Sequence, residues 1–208
     1  MRRAAICATL PTVPSVPFRD REKVQVEVVG QWRAWLTEHA DRDDGVWVVT
    51  WKKATGRPSP TYDELVTEAL AHGWVDATAG TLDDERGMLW FAPRKRGSGW
   101  SRPNKARLER LEREGRMQPR GQAVVDAAKA DGSWALLDDV EDLVLPPDLA
   151  AALDARLGAR AAWEAFPRSV KRGQLERLVQ ARRPATREKR VAEIADGAAR
   201  GVRTYFER

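Results

Sequence analysis

The chain is poor in the residues that most metal, redox and covalent chemistry needs. Among its 208 residues there is a single cysteine, Cys7, which excludes a disulfide framework and any cysteine-built zinc or iron–sulfur site. Two histidines, His39 and His72, are too few for most histidine-based metal centres. No metal and no cofactor is therefore expected. The phosphate loop G-x-x-x-x-G-K-[ST], the dinucleotide fingerprint G-x-G-x-x-G, the G-x-S-x-G elbow and the H-E-x-x-H helix are all missing. No apolar run is long enough to span a bilayer. The start, Met1-Arg2-Arg3 followed by Ala4 to Leu10, carries seven apolar or small residues and then meets Pro11, Pro14 and Pro17. That is at the lower limit for a secretory signal, and no convincing cleavage site follows. Residues 1–20 read as a flexible leader and the protein as cytoplasmic.

What is present fits a globular chain. Hydrophobic residues make up 42% and charged residues 32%, enough apolar material for a real core. Arginine outnumbers lysine 28 to 8, which reflects either a genome rich in G and C or a use for guanidinium chemistry. Tryptophan supplies 9 of 15 aromatics. An indole is costly to bury unless its N–H finds a partner, so nine of them point to polar-lined aromatic packing or a ligand surface. The net charge of +5 is uneven: −3 over residues 1–91, +7 over 92–120, −6 over 121–150 and +7 over 151–208. Two basic blocks around an acidic one suit either a nucleic-acid footprint or complementary faces that pair within the fold.

The expected architecture is α+β: a small mixed β-sheet with helices in the N-terminal part, residues 21–136, and a helical C-terminal module, residues 137–208. Residues 24–30 alternate like a strand and 31–40 like an amphipathic helix, and Val46 to Trp51 is a buried-type strand. Thr61-Tyr62-Asp63-Glu64 is a capping box whose helix ends at Gly73. Strand-like pieces follow at Trp74-Val75-Asp76 and at Met88 to Phe91. Ser101 is placed to cap a helix that stops at Gly115, and a second helix runs from Pro119 to Asp131. After an acidic connector at 137–147, helices are expected near 148–166, 168–183 and 187–200, with Thr186 as the last cap.

The densest constellation is residues 90–104. A strand end leads through a basic, glycine-containing loop into a helix N-terminus, where free backbone N–H groups and the helix dipole favour an anion. Arg94 can clamp a carboxylate or phosphate in bidentate fashion, or pair with an acid such as Asp76. Trp100 offers a flat wall or core packing, and Ser98, Ser101 and Asn104 offer directed hydrogen bonds. Lys53 follows a buried-type strand, where a desolvated amine acts as a base and an exposed one does not. Asp76 is the candidate carboxylate in an apolar run. Tyr62, at a helix start, either packs or turns its hydroxyl into the same cleft.

Trp51-Lys52-Lys53, Gly56, Thr61 to Glu64, Ala69-Leu70, Gly73 to Asp76, Phe91 to Arg94, Ser98 to Ser101, Asn104, Gly115-Arg116-Met117, Gly121, Ala128-Lys129 and Gly132 occur in order. With these motifs the sequence resembles the YdeI-like, or bacteriocin-protection/OmpD-associated, proteins of bacteria, over roughly residues 25–200. Leu145-Pro146-Pro147-Asp148-Leu149, Ala185-Thr186-Arg187 and Arg190 are similar to the family's helical C-terminal module. The resemblance implies protection against bacteriocins or cationic antimicrobial peptides, and a periplasmic location has been predicted for the family. It implies no agreed reaction. Ala92 departs from the hydroxyl residue more usual in the family's Phe-x-Pro-Arg motif.

Three readings follow. The first is a ligand-binding protein of the resistance or stress-protection type. Its pocket is lined by Trp74, Trp100 and Tyr62, Arg94 and Lys53 meet an anionic or polar small molecule, and Asp76 orients one cation. The second is an enzyme using Asp76 or Lys53 as acid–base group in that cleft. The third is a nucleic-acid binder using the basic 94–120 block and the C-terminal helices, with affinity that falls steeply with salt.

Overall fold

The computed structural model describes residues 17–203; Cys7 and most of the expected leader lie outside the described residues. Four strands, β1 (Lys23–Gln25), β2 (Val46–Trp51), β3 (Trp74–Thr81) and β4 (Arg86–Pro93), form one sheet in the order β1-β2-β4-β3. β1 runs parallel to β2 and the other two pairs are antiparallel, so the sheet is mixed. Around and after it come α1 (Val29–Glu38), α2 (Tyr62–Ala71), α3 (Arg102–Arg113), α4 (Pro119–Ala130), α5 (Asp138–Glu141), α6 (Pro147–Asp154), α7 (Ala159–Ala165), α8 (Arg168–Val179) and α9 (Pro184–Ala199). The architecture is α+β, with the sheet in the N-terminal part and helices alone in the C-terminal part.

Local chemistry explains most element ends. The Thr61 hydroxyl accepts from the Glu64 N–H at 3.2 Å while the Glu64 carboxylate accepts from the Thr61 N–H at 2.7 Å, so α2 starts on a complete capping box. It stops at Gly73, whose φ of +77° suits a residue without Cβ and turns the chain straight into β3. The strand expected over 24–30 shortens to three residues. The Gln31 side chain accepts from the Glu27 and Val28 N–H groups at 2.7 and 3.3 Å, and those contacts start α1 before the alternation is used up. The helix expected over 148–166 is two helices, because Gly158 takes a φ of +76° between them. α9 begins at Pro184, with Arg183 and not Thr186 as the cap, since a proline's fixed φ and missing N–H fit a first helical position.

Two main apolar cores result. The first joins Trp32, Leu36, Val46, Val48, Leu70, Trp74, Phe91, Trp100 and Leu108 under α1, α2 and α3. The second runs from Leu137 through Leu149, Leu153, Trp163, Leu175 and Ile194. A smaller cluster of Trp47, Val49, Met88 and Trp90 covers the other sheet face. Phe18, the described end of the expected leader, lies on it with ring centroids 5.0 Å from Trp47 and 4.8 Å from Trp90, and Trp47 Nε1 donates to the Phe18 carbonyl at 2.9 Å. The tryptophans are thus mainly packing residues. Trp32, Trp35 and Trp74 form one cluster, with Trp32 Nε1 donating to the Leu65 carbonyl at 3.1 Å.

One buried carboxylate ties three segments together. Glu68 on α2 takes a bidentate pair from Arg33 on α1, at 2.9 and 2.7 Å, and a further bond from Arg116 beyond α3. Burial pushes its pKa up, but the Arg33 hydrogen bonds and the charges of Arg116 and Arg33 outweigh it and hold the group below its ordinary value. Asp63, through Arg110, and Asp148, through Arg187, are likewise held down. Groups with depressed folded-state pKa values contribute stability that is present above the ordinary carboxylate range and is lost as pH falls through the folded values. The midpoint of urea denaturation is therefore expected to hold near neutrality and to fall as pH drops below about 4. Glu68→Gln flattens that fall and costs about 1–3 kcal/mol at pH 7, the discounted value for two partners that keep contact with solvent. Packing sets a second test: a Cβ on Gly121 would sit 2.1 Å from the Ala71 carbonyl oxygen. Gly121→Ala is expected to push α4 off α2 and lose about 1–3 kcal/mol by the same measurement.

Candidate functional site

The turn at Gly73 sets the site. The Arg94 N–H donates to the Gly73 carbonyl at 2.9 Å, fixing the residue after β4 beside the start of β3. In the antiparallel register Asp76 faces Phe91 across that pair. Tyr62, in the first turn of α2, reaches over, and its hydroxyl donates to Asp76 Oδ2 at 2.8 Å. The loop after β4 returns through Gly97, Ser98 and Gly99 into α3. A cleft of about 450 Å³ opens there, lined by Tyr62, Asp76, Arg94, Ser101, Asn104 and Arg107, with Val75, Pro103 and Leu137 as apolar wall. Val75, Arg94, Gly99, Leu137 and Glu176 also line an adjoining cavity of about 690 Å³, which Ser98 and Arg182 border.

Arg94 is the unusual member. Its guanidinium stacks 3.6 Å above the Trp100 ring and donates through Nη2 to the Gly99 carbonyl. Its buried Nε has no hydrogen-bond partner, and it makes no salt bridge among the described residues. Burial pushes its pKa down to about 10, against a smaller opposing effect of the Asp76 charge. The Tyr62 phenol is pushed up to about 12, first by burial and then by its bond to Asp76, so it stays protonated near neutrality and serves as a fixed donor. Asp76 likewise has no salt bridge among the described residues; its hydrogen bond comes from Tyr62. The pairing of Asp76 with Arg94 or Lys53 expected from sequence is not formed.

The structure brings together six of the nine residues singled out from sequence around Arg94: Tyr62, Asp76, Arg94, Ser101 and Asn104 in one cleft, with Ser98 next door. Three sit differently. Lys53 is exposed in the turn after β2, at the opposite end of the sheet: Trp51 pairs with Arg86, whereas the Arg94 end of β4 lies beside Val46. It lines none of these cavities. Trp74 is buried in the first core with its ring edge-on to Trp32 and Trp35, so it forms no pocket wall. Trp100 is 1% exposed and serves mainly as the platform beneath Arg94, while bordering a third cavity of about 320 Å³.

The helix start also departs from expectation. Ser101 sits at the N-cap of α3, yet its side chain makes no capping bond. The Asn104 and Lys105 N–H groups are spent on the Ser101 carbonyl, and Pro103 has none, so few backbone donors remain for an anion. Asn104 Oδ1 accepts from Arg107 at 3.1 Å, which leaves its amide N–H₂ for another acceptor. Arg107 was not singled out from sequence, although its i+3 spacing from Asn104 places both on one helix face. Glu176 and Arg182, from the second module, carry no local signal at all.

A half-buried arginine without a carboxylate partner returns little to the fold for the desolvation of its charge. Arg94→Met keeps the contact with Trp100 and removes the desolvated charge. It is expected to leave thermal stability unchanged or raised by about 0–2 kcal/mol, measured by melting; a clear loss would make the guanidinium a structural tie.

Among the described residues no three His, Cys, Asp or Glu side chains are placed to hold a metal ion, and no helix is long and apolar enough to cross a membrane. Two family models match the chain: a domain of unknown function, DUF8412, over residues 24–124, and the bacteriocin-protection, YdeI or OmpD-associated family over residues 142–201. No curated protein and no solved structure matches it. The family match is narrower than the resemblance over residues 25–200, and the cleft residues Tyr62, Asp76, Arg94, Ser101, Asn104 and Arg107 fall in the domain of unknown function. Residues 142–201 are thus similar to the bacteriocin-protection, YdeI or OmpD-associated family, over less than a third of the chain.

Proposed function

We propose that this is a small-molecule-binding protein of the bacteriocin-protection type, whose cleft at Arg94 takes an anionic group. The observation that carries the reading is the state of Arg94: a half-buried guanidinium whose Nε is buried without a partner, with no carboxylate pair and a place on the cleft wall. An unsatisfied buried donor costs about 1–3 kcal/mol, and stacking on Trp100 offsets about 2 kcal/mol or more of the charge's desolvation without supplying a counter-charge. A bound carboxylate supplies the missing charge and charge-assisted hydrogen bonds. Ser101 and the Asn104 amide offer it further polar contacts.

Two observations weigh against the other readings. Catalysis by Lys53 has no support, because that amine is exposed at the far end of the sheet, and Tyr62 is held protonated beside Asp76. Of the ten basic residues between 94 and 120, seven form salt bridges inside the fold, several with the acidic stretch at 131–142. That pairing leaves little of the block as a free basic face for nucleic acid.

Thermal melting with acetate, benzoate, inorganic phosphate and a short DNA duplex, at low and high salt, tests the reading. A carboxylate is expected to raise the melting temperature of the native protein and to lose that effect in Arg94→Met. A response to DNA alone, vanishing at high salt, would replace this reading with the nucleic-acid one.

A further inference from the structure

The charges around the cleft divide into two kinds. Arg107 is paired with Asp63 at 2.9 Å, and Glu176 is paired with Arg172 at 2.8 Å, so both are neutralised within the fold. Arg94 and Asp76 are not: each lines the cleft, neither makes a salt bridge among the described residues, and they do not pair with each other. A positive and a negative group on one cleft wall, neither in an ion pair, are both satisfied by a single ligand carrying the two complementary charges.

Resting on the anion-site reading above, we infer that the ligand is a zwitterion, with its carboxylate on Arg94 and its ammonium on Asp76. Tyr62 donates to Asp76 Oδ2, which fixes that carboxylate and leaves Oδ1 to accept from an ammonium N–H. On the other side, the Asn104 amide N–H₂, released because Arg107 occupies its oxygen, is available to the ligand carboxylate. Val75, Pro103 and Leu137 give the cleft an apolar wall, so the ligand's remaining part is apolar. The cleft volume of about 450 Å³, with a larger cavity adjoining it, accommodates a free α-amino acid or a short peptide, both of which carry the two charges.

The test is calorimetric titration with matched probes: leucine, leucyl-leucine, 4-methylpentanoate (which lacks the ammonium) and 3-methylbutylamine (which lacks the carboxylate). At least one of the two zwitterions is expected to bind about tenfold to hundredfold tighter than either single-charge analogue, as charged hydrogen bonds warrant. Which one it is distinguishes amino acid from peptide. In Asp76→Asn, with melting used to confirm the fold, the zwitterion should fall to the level of 4-methylpentanoate while 4-methylpentanoate loses nothing. In Arg94→Met both should be lost. Equal binding of leucine, leucyl-leucine and 4-methylpentanoate by the native protein, or an unchanged zwitterion affinity in Asp76→Asn, overturns the zwitterion inference and leaves the anion site standing. If none of the four binds while benzoate or phosphate still raises the melting temperature through Arg94, the inference falls alone. If no anion acts through Arg94, both fall.

Discussion

The meeting of the two hydrophobic cores at Gly99 is the constraint on which the arrangement around the cleft depends. Trp100 belongs to the first hydrophobic core, and the neighbouring Gly99 lies against Leu137, where the second core begins. A Cβ on Gly99 would come within 2.7 Å of Leu137 Cγ, so the approach of the two cores depends on a residue with no side chain. Arg94 spans this junction, one nitrogen bonded to the Gly99 carbonyl and its flat face on the indole. The cleft is what remains open beside that junction. Its shape is therefore fixed by core packing, and a site of this kind is held more rigidly than one on a free loop.

Electrostatics follow the same plan. The surplus of arginine over lysine appears in the structure as forked ties between segments distant in sequence. Arg33 reaches Glu68, Arg110 reaches Asp63, Arg172 reaches Glu141 and Arg187 reaches Asp148. A guanidinium suits this use because its planar fork meets both oxygens of a carboxylate, as at Glu68 and Asp148. Each exposed pair is worth little, but together they explain why alternating charge blocks coexist in one compact fold. Among the charged side chains that line the cleft, Arg107 and Glu176 are paired within the fold, and Arg94 and Asp76 make no salt bridge among the described residues.

Local chemistry made much of this legible in the sequence. The capping box at Thr61, the break at Gly73, the strand at Val46 to Trp51 and the loop joining Phe91 to Ser101 depend on neighbours a few residues away, and they form where the residues say they should. Failures came where a distant partner decides. Lys53 follows a strand as ligand-facing residues often do, yet the antiparallel register of β2 and β4 carries it to the wrong end. Trp74 and Asp76, two apart, share a face of β3, but the first lies deep in the core and the second at its rim. Nothing local separates those fates. The cleft's far wall, with Glu176, comes from a helix about eighty residues later, and no short-range pattern encodes that meeting.

The same geometry bears on binding against catalysis. A general acid or base works best with a pKa near the operating pH, and an enzyme site usually sets two titrating groups apart for opposite roles. Here the perturbed groups move the other way: Tyr62 is pushed up to about 12 and Arg94 remains charged at neutrality even after burial lowers it to about 10. Both keep their protons through the physiological range, so they act as fixed donors. Donors that do not titrate favour recognition of a ligand over proton transfer to it. The burial of Arg94 then has a physical rationale that does not require a reaction: a desolvated cation makes stronger contacts with a bound anion than one exposed to water.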